Sequence, residues 1–81
     1  MSIKSTIITS FEIISKEKEL SLPPLTDDLI LLDSGLDSLS FAIIVSRLEN
    51  QLGIDPFGAD PDLEIPITLG DLIRIYEDHL P

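Results

Sequence analysis

Ile3, Ile7, Phe11 and Ile14 follow one another at spacings of four, four and three, the interval that stacks side chains on one face of an α-helix. Ile8 and Ile13 widen the stripe. β-Branched residues are frequent here, and by propensity they lean toward strand. No period-two alternation is sustained, so the spacing decides for a helix over about residues 2–18, with Lys16 and Lys18 suited to the negative pole at its end. Leu20-Ser21-Leu22-Pro23-Pro24 stops it, because consecutive prolines remove N–H donors and bar helical geometry before them. From there to Asp37 no strong period returns. Leu25, Leu29, Ile30, Leu31, Leu32 and Leu36 still predict a loop pinned across the molecule, not a disordered one, with a helical turn at Thr26–Leu29.

The clearest periodic element runs from about Ser38 to Leu52. Phe41, Ile44, Val45, Leu48 and Leu52 share one face, assigned to the core, which leaves Leu39, Ala42, Ile43, Ser46 and Asn50 outward. Gly53 is placed to end this helix. Asp55 to Glu64 reads as a second loop with one short helical turn around Pro61–Glu64, and Ile65-Pro66-Ile67 reads as extended. Thr68 caps a last helix to about His79, with Asp71 three residues on completing a capping box. Leu69, Leu72, Ile73, Tyr76 and Leu80 form its buried stripe. The expected fold is all-α: a small four-helix bundle, three main helices plus one short helix, with a long first loop, as one domain over residues 1–81.

A domain of 81 residues without Cys must build an efficient core, since no disulfide can help it. The lack of Cys also fits a cytoplasmic location. Fifteen acids against five bases leave a net charge of −10. Phosphate backbones and anionic lipid repel such a chain, so neither nucleic acid nor membrane is expected as a partner, while basic docking patches are favoured. The same acids keep a chain that is 43% hydrophobic in solution. Lys4, Glu12, Lys16 and Glu17 interrupt the N-terminal apolar positions, so no signal peptide or spanning segment is read there. The chain starts at Met1 and reads as a free-standing, monomeric protein.

Catalytic chemistry is hard to find. The single His, His79, adjoins the C-terminus and suits the pole of the last helix, so no serine has a base beside it. One His and no Cys make no zinc set. Asp55, Asp60, Asp62 and Glu64 do not match the spacing of a calcium loop and read as a solvated acidic loop. An enzyme is not expected. The positive signal is Leu32-Asp33-Ser34-Gly35-Leu36-Asp37-Ser38-Leu39-Ser40-Phe41. Gly35 allows a tight bend, Asp37 is a good N-cap, and Ser38 falls at the first helical position. Its hydroxyl there is exposed beside unpaired backbone N–H groups and the positive end of the helix dipole, where a phosphate ester is electrostatically comfortable.

Asp37-Ser38-Leu39 at the start of a second helix, after a first helix and a long leucine-pinned loop, resembles the acyl and peptidyl carrier proteins over essentially the whole chain. The resemblance implies that Ser38 carries 4′-phosphopantetheine, with Asp37 serving in capping and in the transfer reaction and Leu39 gripped by partners. Ser34 and Ser40 are alternatives by proximity but do not follow the Asp-Ser-Leu pattern. A phosphopantetheinyl transferase would supply the arm from coenzyme A, with Mg²⁺ held in that partner, and acyl-loading and acyl-processing enzymes would follow. The arm's thiol would then carry cargo as a thioester.

Members of that family in fatty-acid synthesis usually show several acids along this helix. Here only Asp37 and Glu49 are acidic and Arg47 is basic, a departure that favours a dedicated polyketide-like or specialised lipid pathway. Leu39, Ala42 and Ile43 instead offer an apolar docking patch, unless Ile43 tucks under a loop. The aliphatic core near Ile44, Val45 and Leu48 is expected to part around an acyl chain. Gly35-Leu36-Asp37-Ser38-Leu39 lacks the glycine pair usual in peptidyl carriers, which leans toward an acyl cargo. An aminoacyl or peptidyl carrier stays open, as does an unmodified helical adaptor binding through Leu39, Ala42 and Ile43.

Overall fold

In the computed structural model, which describes residues 2–79, four helices follow in order: α1 (Ile3–Glu17), α2 (Ser38–Leu52), α3 (Pro56–Ala59) and α4 (Leu69–Asp78). A 3₁₀ helix over Leu31–Ser34 interrupts the long first loop. The all-α expectation holds. The core joins Ile7, Phe11 and Ile14 of α1, Ile44 and Leu48 of α2, and Leu69, Leu72, Ile73 and Tyr76 of α4. Leu80, predicted to extend the last stripe, lies outside the described residues.

Ser2 caps α1, its hydroxyl accepting the Ser5 N–H at 3.1 Å. The helix buries Thr6, Ser10 and Ser15 beside its apolar stripe. Each hydroxyl donates to a carbonyl of its own helix, Thr6 to Ser2 at 3.1 Å, Ser10 to Thr6 at 3.1 Å and Ser15 to Glu12 at 2.8 Å. Small hydroxyls satisfied this way enter a core at little cost. Pro23 and Pro24 do not make the stop. Glu19, at φ 55°, turns the chain left-handed, and the Leu20 N–H reaches back to the Ser15 carbonyl at 2.8 Å. That is a Schellman-type closure.

The loop that follows is pinned by hydrogen bonds as well as by its leucines. The Asp27 and Leu29 carbonyls accept the Gly70 and Leu69 N–H groups at 3.0 and 2.8 Å, satisfying donors that α4 cannot pair internally. The Leu31 N–H reaches the Ile67 carbonyl at 2.9 Å, and Ile30 pairs with Thr68 in an isolated antiparallel bridge. Residues 27–30 are committed to α4 in this way. Only one turn bond, Leu29 N–H to the Thr26 carbonyl, forms where a helical turn was predicted, and the winding falls at Leu31–Ser34 instead.

α1 and α2 run antiparallel, with Ser10 facing Gln51 and the Arg47 guanidinium 3.0 Å from Glu17. α2 matches its predicted bounds, but its buried face is turned. Ser40 lies on the buried line with Ile44 and Leu48, whereas Val45 is only half-buried and lies outside the core cluster. At about 100° per residue, admitting Ser40 rotates the face by roughly 50°. The rotation draws Ile43 onto the core. Ser40 is buried although its hydroxyl has no hydrogen-bond partner among the described residues.

The short third helix lies at Pro56–Ala59, not at Pro61–Glu64. Asp55 caps it by accepting the Gly58 N–H at 3.1 Å, and Pro56 occupies the first helical position, where a missing N–H is harmless. Gly58 suits that cap, since a Cβ there would overlap the Asp55 carboxylate. Thr68 and Asp71 form the predicted capping box, the Asp71 N–H donating to Thr68 Oγ1 at 3.1 Å and the Thr68 N–H to the Asp71 carboxylate at 3.2 Å.

Candidate functional site

Three serines stand within seven residues, and only one is presented to solvent. Ser34 is buried, its hydroxyl donating to the Leu31 carbonyl at 2.6 Å. Ser40 is buried on the inner face of α2. Ser38, the first residue of α2, is exposed. The chain reaches it through Gly35 at φ 87°, a left-handed conformation that glycine adopts without strain. The Ser38 and Leu39 N–H groups, first in the helix, have no carbonyl within α2 to bond.

Asp37 aims past Ser38. Its carboxylate accepts the Ser40 N–H at 2.8 Å, closing the cap. That bond, and more weakly the charge of Lys18, hold the Asp37 carboxyl below its ordinary range. The aspartate is therefore ionised and engaged with the backbone at neutral pH, which leaves the Ser38 hydroxyl unencumbered.

Beside Ser38 opens an apolar cavity of about 360 Å³. Phe11 and Phe41 form its floor, the loop from Ile30 to Leu36 one wall, and Ile65, Pro66 and Ile67 the other. Ser34 and Ser38 are its only hydroxyl-bearing lining residues. This opening is distinct from the aliphatic side chains of Ile44, Val45 and Leu48, which were expected to part around an acyl chain. Ile44 and Leu48 are fully buried, and the space lies between the first loop and the segment before α4. Sequence periodicity had no way to find it, because its lining comes from two loops joined by a hydrogen bond, Leu31 to Ile67.

Leu39 and Ala42 are exposed on α2 as predicted. Ile43 is not an outward residue: it is half-buried and packs against the core. The exposed apolar surface of this helix is accordingly narrower than expected. His79 caps α4, its Nδ1 2.8 Å from the Ile75 carbonyl. Among the described residues no group of His, Cys, Asp or Glu is placed to hold a metal ion. No helix among them is long and apolar enough to cross a membrane.

A phosphopantetheine arm fits what these residues offer. Its phosphate would meet a free hydroxyl and the N-terminal N–H groups of α2, and an apolar load would meet the cavity. The match to known proteins is on the same ground. Residues 12–60 fit the model of a family described as the phosphopantetheine attachment site. A non-reducing polyketide synthase, CTB1, of Cercospora nicotianae is 41% identical over 54 residues, which are 67% of this chain and 2% of that protein. Norsolorinic acid synthase of Dothistroma septosporum is 46% identical over 46 residues, 57% of this chain and 2% of that one. The non-reducing polyketide synthase PKS8-1 of Pseudocercospora fijiensis is 33% identical over 78 residues, 96% of this chain and 4% of that protein. The chain thus spans only a few per cent of the length of these relatives. No solved structure matches it significantly.

Proposed function

We propose that this chain, which belongs to the phosphopantetheine attachment-site family, carries acyl intermediates of a polyketide-like pathway on an arm joined to Ser38 Oγ. The observation that carries the reading is the exposed Ser38 hydroxyl at the first position of α2, at the rim of an apolar cavity and inside the matched segment. When bound, the arm supplies a thiol that holds cargo as a thioester, reactive sulfur that a chain without Cys lacks. The protein's own residues do the rest. Asp37 fixes the start of α2 and so the position of the hydroxyl. The two free N–H groups and the dipole stabilise a phosphodiester there. The chain itself acts as carrier and not as catalyst, with a phosphopantetheinyl transferase and acyl-processing enzymes as its partners.

The polyketide assignment is supported by the named relatives and by the sparse acids on α2. The cavity supports an acyl cargo, since its volume is more than twice the roughly 150 Å³ of an engineered apolar cavity that takes up benzene. The test is intact mass after incubation with coenzyme A, Mg²⁺ and a broad-specificity transferase. A single phosphopantetheine increment on the parent and none on Ser38→Ala is expected, with the variant folding normally. An increment that persists on Ser38→Ala would move the site elsewhere, and none on the parent would leave an unmodified helical adaptor.

A further inference from the structure

The rim of the cavity carries apolar surface that packing does not account for. Leu32 is 90% exposed and Ile65 84%, with Ile67 beside them mostly exposed as well. All three line the opening that Ser38 also lines, Leu32 from one wall and Ile65 and Ile67 from the other. The Leu31–Ile67 hydrogen bond and the Ile30–Thr68 bridge join the two backbones next to Leu32 and at Ile67. A cluster of large aliphatic side chains on a small acidic protein marks an interaction surface.

Charge indicates what covers it. Between Arg47 and Arg74 the chain has six acids, Glu49, Asp55, Asp60, Asp62, Glu64 and Asp71, and no base. Asp60, Asp62, Glu64, Asp71 and Asp78 line an open groove that Ile65 and Ile67 also line, with Arg74 its one base and 3.7 Å from Asp71, so Ile65 and Ile67 lie between an acidic groove and the cavity beside Ser38. On α2, by contrast, Asp37 holds the cap and Arg47 pairs with Glu17, which leaves Glu49, near the far end, as the helix's one acid. Size points the same way. A standard protein interface takes about 800 Å² from each partner, a disc of roughly 16 Å radius. The molecule measures 33 × 23 × 22 Å, so an enzyme centred on Ser38 with that footprint covers the opposite rim of the opening too.

We infer that the Leu32–Ile65–Ile67 ridge, with its flank of Asp60, Asp62 and Glu64, is the docking surface for the transferase acting at Ser38. The partner surface presents an apolar hollow rimmed by Arg and Lys side chains. This rests on the carrier reading above. The acids steer the encounter and the ridge holds it, a division that separates on-rate and salt dependence from residence.

The test uses arm transfer from unacylated coenzyme A, followed by intact mass over time, so that cargo sheltering plays no part. The variants are Leu32→Ser/Ile65→Ser, Asp60→Asn/Asp62→Asn/Glu64→Gln, and Leu20→Ser as an exposed apolar control away from the cavity. The ridge variant is expected to raise KM about tenfold or more with kcat unchanged, as central apolar contacts do. The acid variant should flatten the salt dependence of kcat/KM, and Leu20→Ser should match the parent. A ridge variant within twofold of the parent in KM, or one that loses kcat alone, overturns the docking surface while the parent's loading upholds the carrier. A parent that is never loaded overturns both. Loss of helical circular dichroism in the ridge variant would contradict the exposure of these side chains and overturn the proposal as well.

Discussion

Asp37 and Ser38 are neighbours with opposite environments, and the contrast is what leaves the serine hydroxyl exposed. The aspartate is engaged with the Ser40 N–H, and the serine hydroxyl is free at the helix start. Asp71 is held by the same device, its carboxylate accepting the Thr68 and Ile67 N–H groups, which keeps it below its ordinary range. Both carboxyls titrate lower in the folded chain than in the unfolded one. Their contribution is therefore complete above the ordinary aspartate value of 3.8 and is lost as pH falls through the folded values below it. Chemical denaturation between pH 6 and about pH 2.5 should show this loss. Asp37→Asn should remove part of the slope, and an unchanged slope would assign it to other carboxyls. Tyr76 behaves in the reverse sense. Burial first, then Asp55 and Glu49, push its hydroxyl up to about 12, and the buried hydroxyl has no hydrogen-bond partner among the described residues. The unfolded chain releases that proton near pH 10, so stability should fall between pH 10 and about 12. Tyr76→Phe removes the unpartnered group and should leave stability equal or raise it by about 1 kcal/mol. A loss of more than about 1 kcal/mol in urea denaturation would mean that the hydroxyl has found a partner.

At the scale of elements, the helices are bounded by side-chain and backbone caps whose signals differ in visibility. Asp37, Thr68 with Asp71, and Gly53 announce themselves in the sequence, and the helices they bound lie where predicted. Asp55-Pro56 and the expected turn at Pro61 both carry start signals for a short helix, and α3 follows the Asp55 cap. The loop between α1 and α2 was legible as pinned but not in its path. Its carbonyls at Asp27 and Leu29 serve the first N–H groups of α4, a partnership across forty residues that no local pattern encodes. Gly70 suits it, since a Cβ there would crowd the Asp27 carbonyl oxygen at 3.0 Å. Gly70→Ala should therefore loosen the loop even though alanine favours helix. Faster amide exchange at Leu31, whose N–H bonds to Ile67, would report it. Gly35→Ala meets no atom within 4 Å, yet at φ 87° it should cost about 1–2 kcal/mol through backbone strain alone. A thermal midpoint unchanged by Gly35→Ala would show that the bend relaxes.

Over the whole molecule, two kinds of apolar side chain are separated that look alike in the sequence. Leu48 is fully buried among α1, α2 and α4, and Leu48→Ala should cost about 2–5 kcal/mol by transfer and cavity terms. Leu32→Ala, at a site nearly all in solvent, should stay within about 0.5 kcal/mol of the parent. The cavity between the loops gives the loaded protein a further property. An octanoyl thioester on the Ser38 arm should raise the thermal midpoint above that of the acetyl form, because only the longer chain has apolar length to bury. Equal midpoints would place the chain outside the cavity.

The sequence by itself determined the helical class, the bounds of α1, α2 and α4, and the serine that starts α2. These are local matters, written in the spacing of isoleucines and leucines and in caps that act over three or four residues. It also excluded a metal set or catalytic triad built on Cys or several His residues, which composition alone can do. Only the tertiary structure decided that Ser40 rather than Val45 joins the core, that Ile43 turns inward, and that the space beside Ser38 lies under the first loop. Burial of a small hydroxyl depends on what packs against it, not on its own hydropathy. The cavity and its exposed ridge depend on hydrogen bonds between segments some forty residues apart, Asp27 to Gly70, Leu29 to Leu69 and Leu31 to Ile67.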